Sequence, residues 1–144
     1  MDFVKQREQF RRHKYGDEGD KPTIGYGHLL LPDEKFPNGI TKEQALRFLA
    51  QDIKIAETAL QRKVKVDLTQ YQFDALTSLV FNIGTDNFED STLLRLLNRG
   101  EYNKAANEFL VWNKVTKKGI KVTSDGLVKR RKIERTLFLN GKYE

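Results

Sequence analysis

Lys14-Tyr-Gly-Asp-Glu-Gly-Asp-Lys-Pro-Thr-Ile-Gly-Tyr-Gly-His-Leu-Leu-Leu31 is the stretch on which the fold turns. Gly16, Gly19, Pro22, Gly25 and Gly27 interrupt any helical run, and Tyr15, Thr23, Ile24 and Tyr26 between them favour extended backbone. The segment therefore reads as a small hairpin sheet with tight turns. Upstream, Asp2 can cap a first helix running to about His13. Phe3, Gln6 or Arg7, and Phe10 are spaced for one face of it, and Glu8 projects from its middle.

Downstream of a loop from Pro32 to Gly39 the period changes. Thr41-Lys-Glu-Gln44 is a capping box, and Ala45, Leu46, Leu49, Ile53, Ala56 and Leu60 recur at helical spacing to about residue 62. A second capping box, Thr69-Gln-Tyr-Gln72, opens a helix over Phe73 to Phe81 whose apolar residues cover most of its circumference, as expected for the buried centre of a bundle. Ser91 starts a short helix ended by Gly100. Tyr102, Ala105, Ala106, Phe109 and Leu110 make another, followed by a basic, glycine-containing loop. A last helix, about Leu127 to Leu139, ends before Asn140-Gly141. The outline is a hairpin lobe, one long connecting helix and a helical lobe, without internal repeats.

With 144 residues, 38% hydrophobic and 32% charged, the chain has the size of one compact domain. It has no cysteine, which excludes disulfides, zinc–thiolate sites and thiol catalysis. Two histidines approach no metal-ligand spacing. The longest apolar run, Phe109 to Trp112, is far short of a membrane span, and the first twenty residues have no hydrophobic signal core. The net charge of +6 is concentrated in Lys114 to Arg135, where Lys114, Lys117, Lys118, Lys121, Lys129, Arg130, Arg131, Lys132 and Arg135 face only Asp125 and Glu134. Such a window is either a solvated face or a surface for polyanions such as nucleic acid, anionic lipid or wall polymers.

Glycoside hydrolysis needs a carboxylic acid to protonate the leaving oxygen and a second group to handle water or the developing cation. Glu8 and Asp17 are a candidate pair that a chain reversal at Lys14 and Tyr15 could bring together. By themselves they read as a solvated helix residue and an ordinary turn. The combined spacing of Glu8, Asp17 and Thr23, running into Thr23-Ile-Gly-Tyr-Gly-His-Leu29, resembles the phage-type lysozymes (glycoside hydrolase family 24). The resemblance continues at Gln70-Tyr-Gln-Phe-Asp-Ala-Leu76, Phe81-Asn-Ile-Gly84, Ser91-Thr-Leu-Leu94, Ala105-Ala106, Trp112 and Gly126-Leu-Val-Lys-Arg-Arg131, in order and over essentially the whole chain.

The resemblance implies an α+β, lysozyme-like fold. A small N-terminal β-hairpin lobe, about 14–40, is joined by a long helix, about 41–62, to a mainly α-helical lobe of about 63–144 plus the first helix, all in one domain over 1–144. It makes Glu8 the general acid, and gives Asp17 and Thr23 the positioning of water. Glu8 must keep its proton at working pH, which calls for partial desolvation or a neighbouring negative charge such as Asp17. Asn82, Leu29, Phe81 and Arg130 become substrate-side residues, Asn82 as a cleft amide for the sugar's acetamido group. Arg130 or Arg131 matches the basic position near the catalytic Glu, and the sequence does not choose between them. His28 becomes a hydrogen-bonded structural residue; His13 reads as exposed, and Phe109 and Trp112 as core. The family's usual Gly after the Glu is here Gln9, which bears on fine specificity.

The implied activity is an N-acetylmuramidase acting on peptidoglycan glycan strands, inverting, monomeric, and needing no cofactor or metal. Its location would be the host cytoplasm until release to the wall or periplasm, without stable membrane insertion. A lytic transglycosylase or a chitinase-like hydrolase on the same scaffold is the enzymatic rival, the transglycosylase distinguished by anhydro sugar ends. All three catalytic positions are present, which disfavours an idle wall-binding module. The basic segment lacks the aromatic stacking surface of a nucleic-acid binder.

Overall fold

The computed structural model describes residues 2–8, 11–16, 22–26, 28–30, 34–36 and 38–143, with the backbone alone at 11–16, 22 and 24. Its elements are α1 (Asp2–Arg7), β1 (Arg11–Gly16), β2 (Pro22–Gly25), β3 (His28–Leu29), α2 (Lys42–Lys63), α3 (Gln70–Ile83), α4 (Thr85–Glu89), α5 (Thr92–Asn98), α6 (Tyr102–Glu108), a 3-10 turn (Phe109–Val111), β4 (Lys114–Lys117), β5 (Ile120–Thr123) and α7 (Asp125–Asn140). The fold is α+β, with a small N-terminal sheet joined through a long helix to a mainly helical lobe.

Both capping boxes form. The Thr41 and Thr69 hydroxyls accept from the backbone N–H of Gln44 and Gln72, while each glutamine side chain accepts from its threonine N–H, satisfying donors that the first helical turn cannot pair internally. α2 is the physical link between two apolar clusters. Its Ala45, Leu49 and Ile53 pack with Val4, Tyr26 and Ile40 on the sheet side, and Ala56 and Leu60 join the larger cluster centred on α3. α3 buries every residue from Ala75 to Val80 because α1, α2 and α7 pack around it. Phe81, near its C-terminal end, packs against both clusters.

The sheet has the order β1-β2-β3, antiparallel throughout, with Arg11 opposite Gly25, Tyr15 opposite Thr23, and Thr23 opposite Leu29. This pairing corrects the expected first helix. α1 ends at Arg7 rather than near His13, and Arg11–Gly16 is strand. Only Phe3 and Val4 of α1 find a core to bury, so the polar residues beyond it gain more from cross-strand hydrogen bonds than from two further helical turns. Glu8 is accordingly one residue past the helix, its N–H donating to the Lys5 carbonyl at 3.1 Å.

Two smaller differences concern the second half. Leu110 falls in the 3-10 turn, which rotates it outward; it is exposed while Phe109 is fully buried. The basic loop is a hairpin, β4 with β5, closed by Lys118 and Gly119, both at positive φ (51° and 78°). That is the backbone of a two-residue turn matched to strand twist.

Candidate active site

α7 begins at Ser124, whose hydroxyl accepts the Leu127 N–H, and it carries Arg130, Arg131 and Glu134 into the interior against α3. Adjacent arginines on a helix diverge by about 100°, while a carboxylate three or four residues on lies one turn away from both. Glu134 uses this spacing. Its Oε2 accepts from Arg130 Nε at 3.2 Å and its Oε1 from Arg131 Nη1 at 2.6 Å. The Ser78 hydroxyl on α3 also donates to Oε2.

From this anchor the arginines reach in different directions. Arg130 Nη1 donates to Glu8 Oε1 at 2.9 Å, and its Nη2 lies 3.3 Å from the Ser78 carbonyl oxygen. Arg131 Nε donates to the Trp112 carbonyl at 2.9 Å, and its Nη2 donates to Asn82 Oδ1. The arginine beside Glu8 is therefore Arg130, and Arg131 serves Asn82. Burial opposes the charge of Arg130, but Glu134 and Glu8 more than offset it and hold its pKa above the usual arginine value. Burial pushes Arg131 down to about 10, against the attraction of Glu134 and with the repulsion of Arg130. Glu8 itself keeps 17% of its side chain exposed.

Among the other anticipated residues, Thr23 is buried in the central strand β2, and Leu29 opposite it on β3 is exposed. Phe81 and Asn82 adjoin on α3, half-buried and exposed respectively. Asp17 and Gln9 lie outside the described residues, as does the side chain of His13. Phe109 is fully buried, and Trp112 packs against the same core. His28 is a structural tie. Its Nδ1 is 2.8 Å from Asp52 Oδ2 on α2, its Nε2 3.0 Å from Glu34 Oε1, and its ring stacks on Phe48 at 4.3 Å.

Sequence reasoning missed Ser78 and Glu134. The i+3 and i+4 spacing of Glu134 from the two arginines is a visible signal, but the segment reads as a solvated face or a polyanion surface, neither of which buries its charges. Two of its nine cations, Arg130 and Arg131, are instead buried and paired. Lys114, Lys117, Lys118, Lys121, Lys129 and Lys132 are exposed, and Arg135 is half-buried and bonded to Asn107. A groove of about 530 Å³ between α2 and α4 contains none of the anticipated site residues; its charged pair, Arg62 with Glu89 at 3.6 Å, is an ordinary surface contact.

Known proteins resemble this chain over most of its length. The family model described as Phage lysozyme matches residues 5–134. An endolysin of Acyrthosiphon pisum secondary endosymbiont phage 1 is 42% identical over 136 residues, covering 94% of this chain and 92% of that protein. Among solved structures, an endolysin from Escherichia coli O157:H7 phage FAHEc1 superposes with a TM-score of 0.87 at 39% identity, over 99% of this chain and 92% of that one. The muramidase domain of SpmX from Asticaccaulis excentricus gives 0.82 at 32% identity, over 96% and 93%. A match spanning Glu8, Arg130 and nearly all of the helices around them has one meaning: the chain belongs to the phage lysozyme family.

Proposed function

We propose that this protein is a monomeric muramidase that hydrolyses the β-1,4 bond between N-acetylmuramic acid and N-acetylglucosamine in bacterial peptidoglycan, with Glu8 as general acid. The observation that carries the reading is the half-buried Glu8 carboxyl held at 2.9 Å by a buried arginine. The guanidinium N–H on Oε1 orients the carboxyl and leaves Oε2 as the oxygen from which a proton is delivered to the leaving glycosidic oxygen. Asp17 and the Thr23 hydroxyl orient water on the opposite face of the sugar, so that a single displacement inverts the anomeric centre. Asn82, Leu29 and Phe81 line the sugar side, and Arg130 sets the acid. The enzyme acts on the wall after release from the cytoplasm in which it is made; among the described residues no helix is long and apolar enough to cross a membrane.

The test is digestion of purified peptidoglycan by the parent and by Glu8→Gln, with the new ends identified by mass spectrometry and the first-formed anomer by proton NMR. Glu8→Gln removes the proton donor and is expected to lose about a hundredfold or more in rate while remaining folded. The parent should release α reducing ends before mutarotation. A folded Glu8→Gln variant within threefold or so of the parent rejects the acid, initial β product rejects the water-positioning roles, and anhydro ends indicate a transglycosylase.

A further inference from the structure

Glu134 has no place in the reaction as drawn, yet it is fully buried and receives three donors from two helices. A buried carboxylate is costly unless its partners need it. Here the two partners are the arginines that end on Glu8 and Asn82. We propose that Glu134 is a positioning residue: one carboxylate orients Arg130 onto the acid and Arg131 onto the sugar-binding amide, so that both are set from a single buried point. The inference rests on the roles given above to Glu8 and Asn82.

The geometry makes the two arms specific. Arg130 has its Nε committed to Glu134 and one Nη facing Ser78, so its remaining Nη1 is presented to Glu8. A planar guanidinium fixed at two edges has little freedom at the third. Arg131, fixed by Glu134 and the Trp112 carbonyl, presents Nη2 to Asn82 Oδ1. With its oxygen accepting from Arg131, the exposed Asn82 has its NH2 left as a donor for the carbonyl oxygen of an acetamido group. Ser78 and Asn82 are one turn apart on α3, so the two arms leave α7 side by side. The charges are set from the same point. Among the described residues, Glu134 faces Arg130 and Arg131 on its own helix and the uncharged Ser78 on α3, and Glu8 faces Arg130. Removing the Glu134 charge leaves Glu8 as the one acidic partner of the two guanidinium ions among the described residues, so that their positive field acts on it undiminished.

The test compares Glu134→Gln, Ser78→Ala and Glu8→Gln with the parent on soluble peptidoglycan glycan fragments, per folded molecule, across pH. Glu134→Gln is expected to lower kcat on the order of tenfold to a hundredfold through misplacement of the acid. It should also raise KM through loss of the Asn82 arm and move the alkaline limb of the pH–activity profile to lower pH. Ser78→Ala, which deletes one donor to Glu134 and no charge, should lower kcat a few-fold, the weight of about one hydrogen bond. A residue serving stability alone would lower the melting temperature but leave kcat, KM and the alkaline limb unmoved in the folded enzyme, and that result overturns the proposal. If Glu134→Gln does not fold at the assay temperature, a parental kcat in Ser78→Ala overturns it equally. Glu8→Gln separates the two levels: activity there rejects the acid itself, whereas an inactive Glu8→Gln beside an unaffected Glu134→Gln rejects only the positioning role.

Discussion

His28 shows how much one side chain can commit at the residue scale. Both ring nitrogens face carboxylate acceptors, Asp52 at 2.8 Å and Glu34 at 3.0 Å, so the geometry is satisfied in full only when both carry protons. The hydrogen bond to Asp52 raises the pKa of His28 above its ordinary 6.5; burial opposes this, and the Asp52 charge and Glu34 add to the rise. Because the folded value lies above the unfolded one, the tie contributes its full stability below the ordinary value of 6.5 and loses it as pH climbs through the raised folded value. Melting temperature measured across that range should therefore fall with rising pH. In His28→Asn the decline should flatten, with the largest loss of stability on the acid side. An NMR titration placing His28 at or below 6.5 would contradict the tie.

At the scale of elements, Gly25 decides how closely β2 approaches α2. Its φ is 67°, and a Cβ there would lie 3.0 Å from Ile40 Cδ1 and 3.1 Å from the Ala45 side chain. Gly25→Ala therefore adds backbone strain to overpacking against a helix that cannot retreat from its own core, and is expected to cost about 2 kcal/mol or more. Chemical denaturation should show this as a lower midpoint with an unchanged slope. The β4–β5 hairpin illustrates the opposite case, an element with little core of its own. Its alternation is visible in Lys114-Val-Thr-Lys-Lys-Gly-Ile-Lys-Val-Thr123, but the turn places a lysine at φ 51°, where Asn or Gly is the usual marker. Without that marker, and with Ile120 exposed to 65%, the segment resembles a basic loop.

For the whole molecule, the burial of Arg130 and Arg131 divides the basic C-terminal region into an internal pair hydrogen-bonded to Glu134 and Glu8 and an external field of lysines. Only the external set can attract an anionic wall over a distance comparable to the screening length. Replacing Lys117, Lys118, Lys129 and Lys132 together by Gln should weaken binding to purified wall at low salt and flatten its salt dependence, with hydrolysis of short soluble glycans unchanged. An unaltered salt profile would make these lysines a solvated face. The sequence by itself determined the helices that announce themselves locally. Thr41 with Gln44 and Thr69 with Gln72 satisfy donors within four residues, and the apolar period of α2 and α3 needs no distant partner to be read. The spacing of Glu8, Asp17 and Thr23 also carried the resemblance to the family. Tertiary structure alone decided that α1 stops at Arg7, because the competing pairing is that of Arg11 with Gly25 on β2, fourteen residues further along the chain. It alone decided that Arg130 meets Glu8 while Arg131 meets Asn82. Neighbouring arginines are chemically identical in sequence and differ only in the direction a helix turns them, and a carboxylate reads as buried or solvated only when the opposite helix is in place.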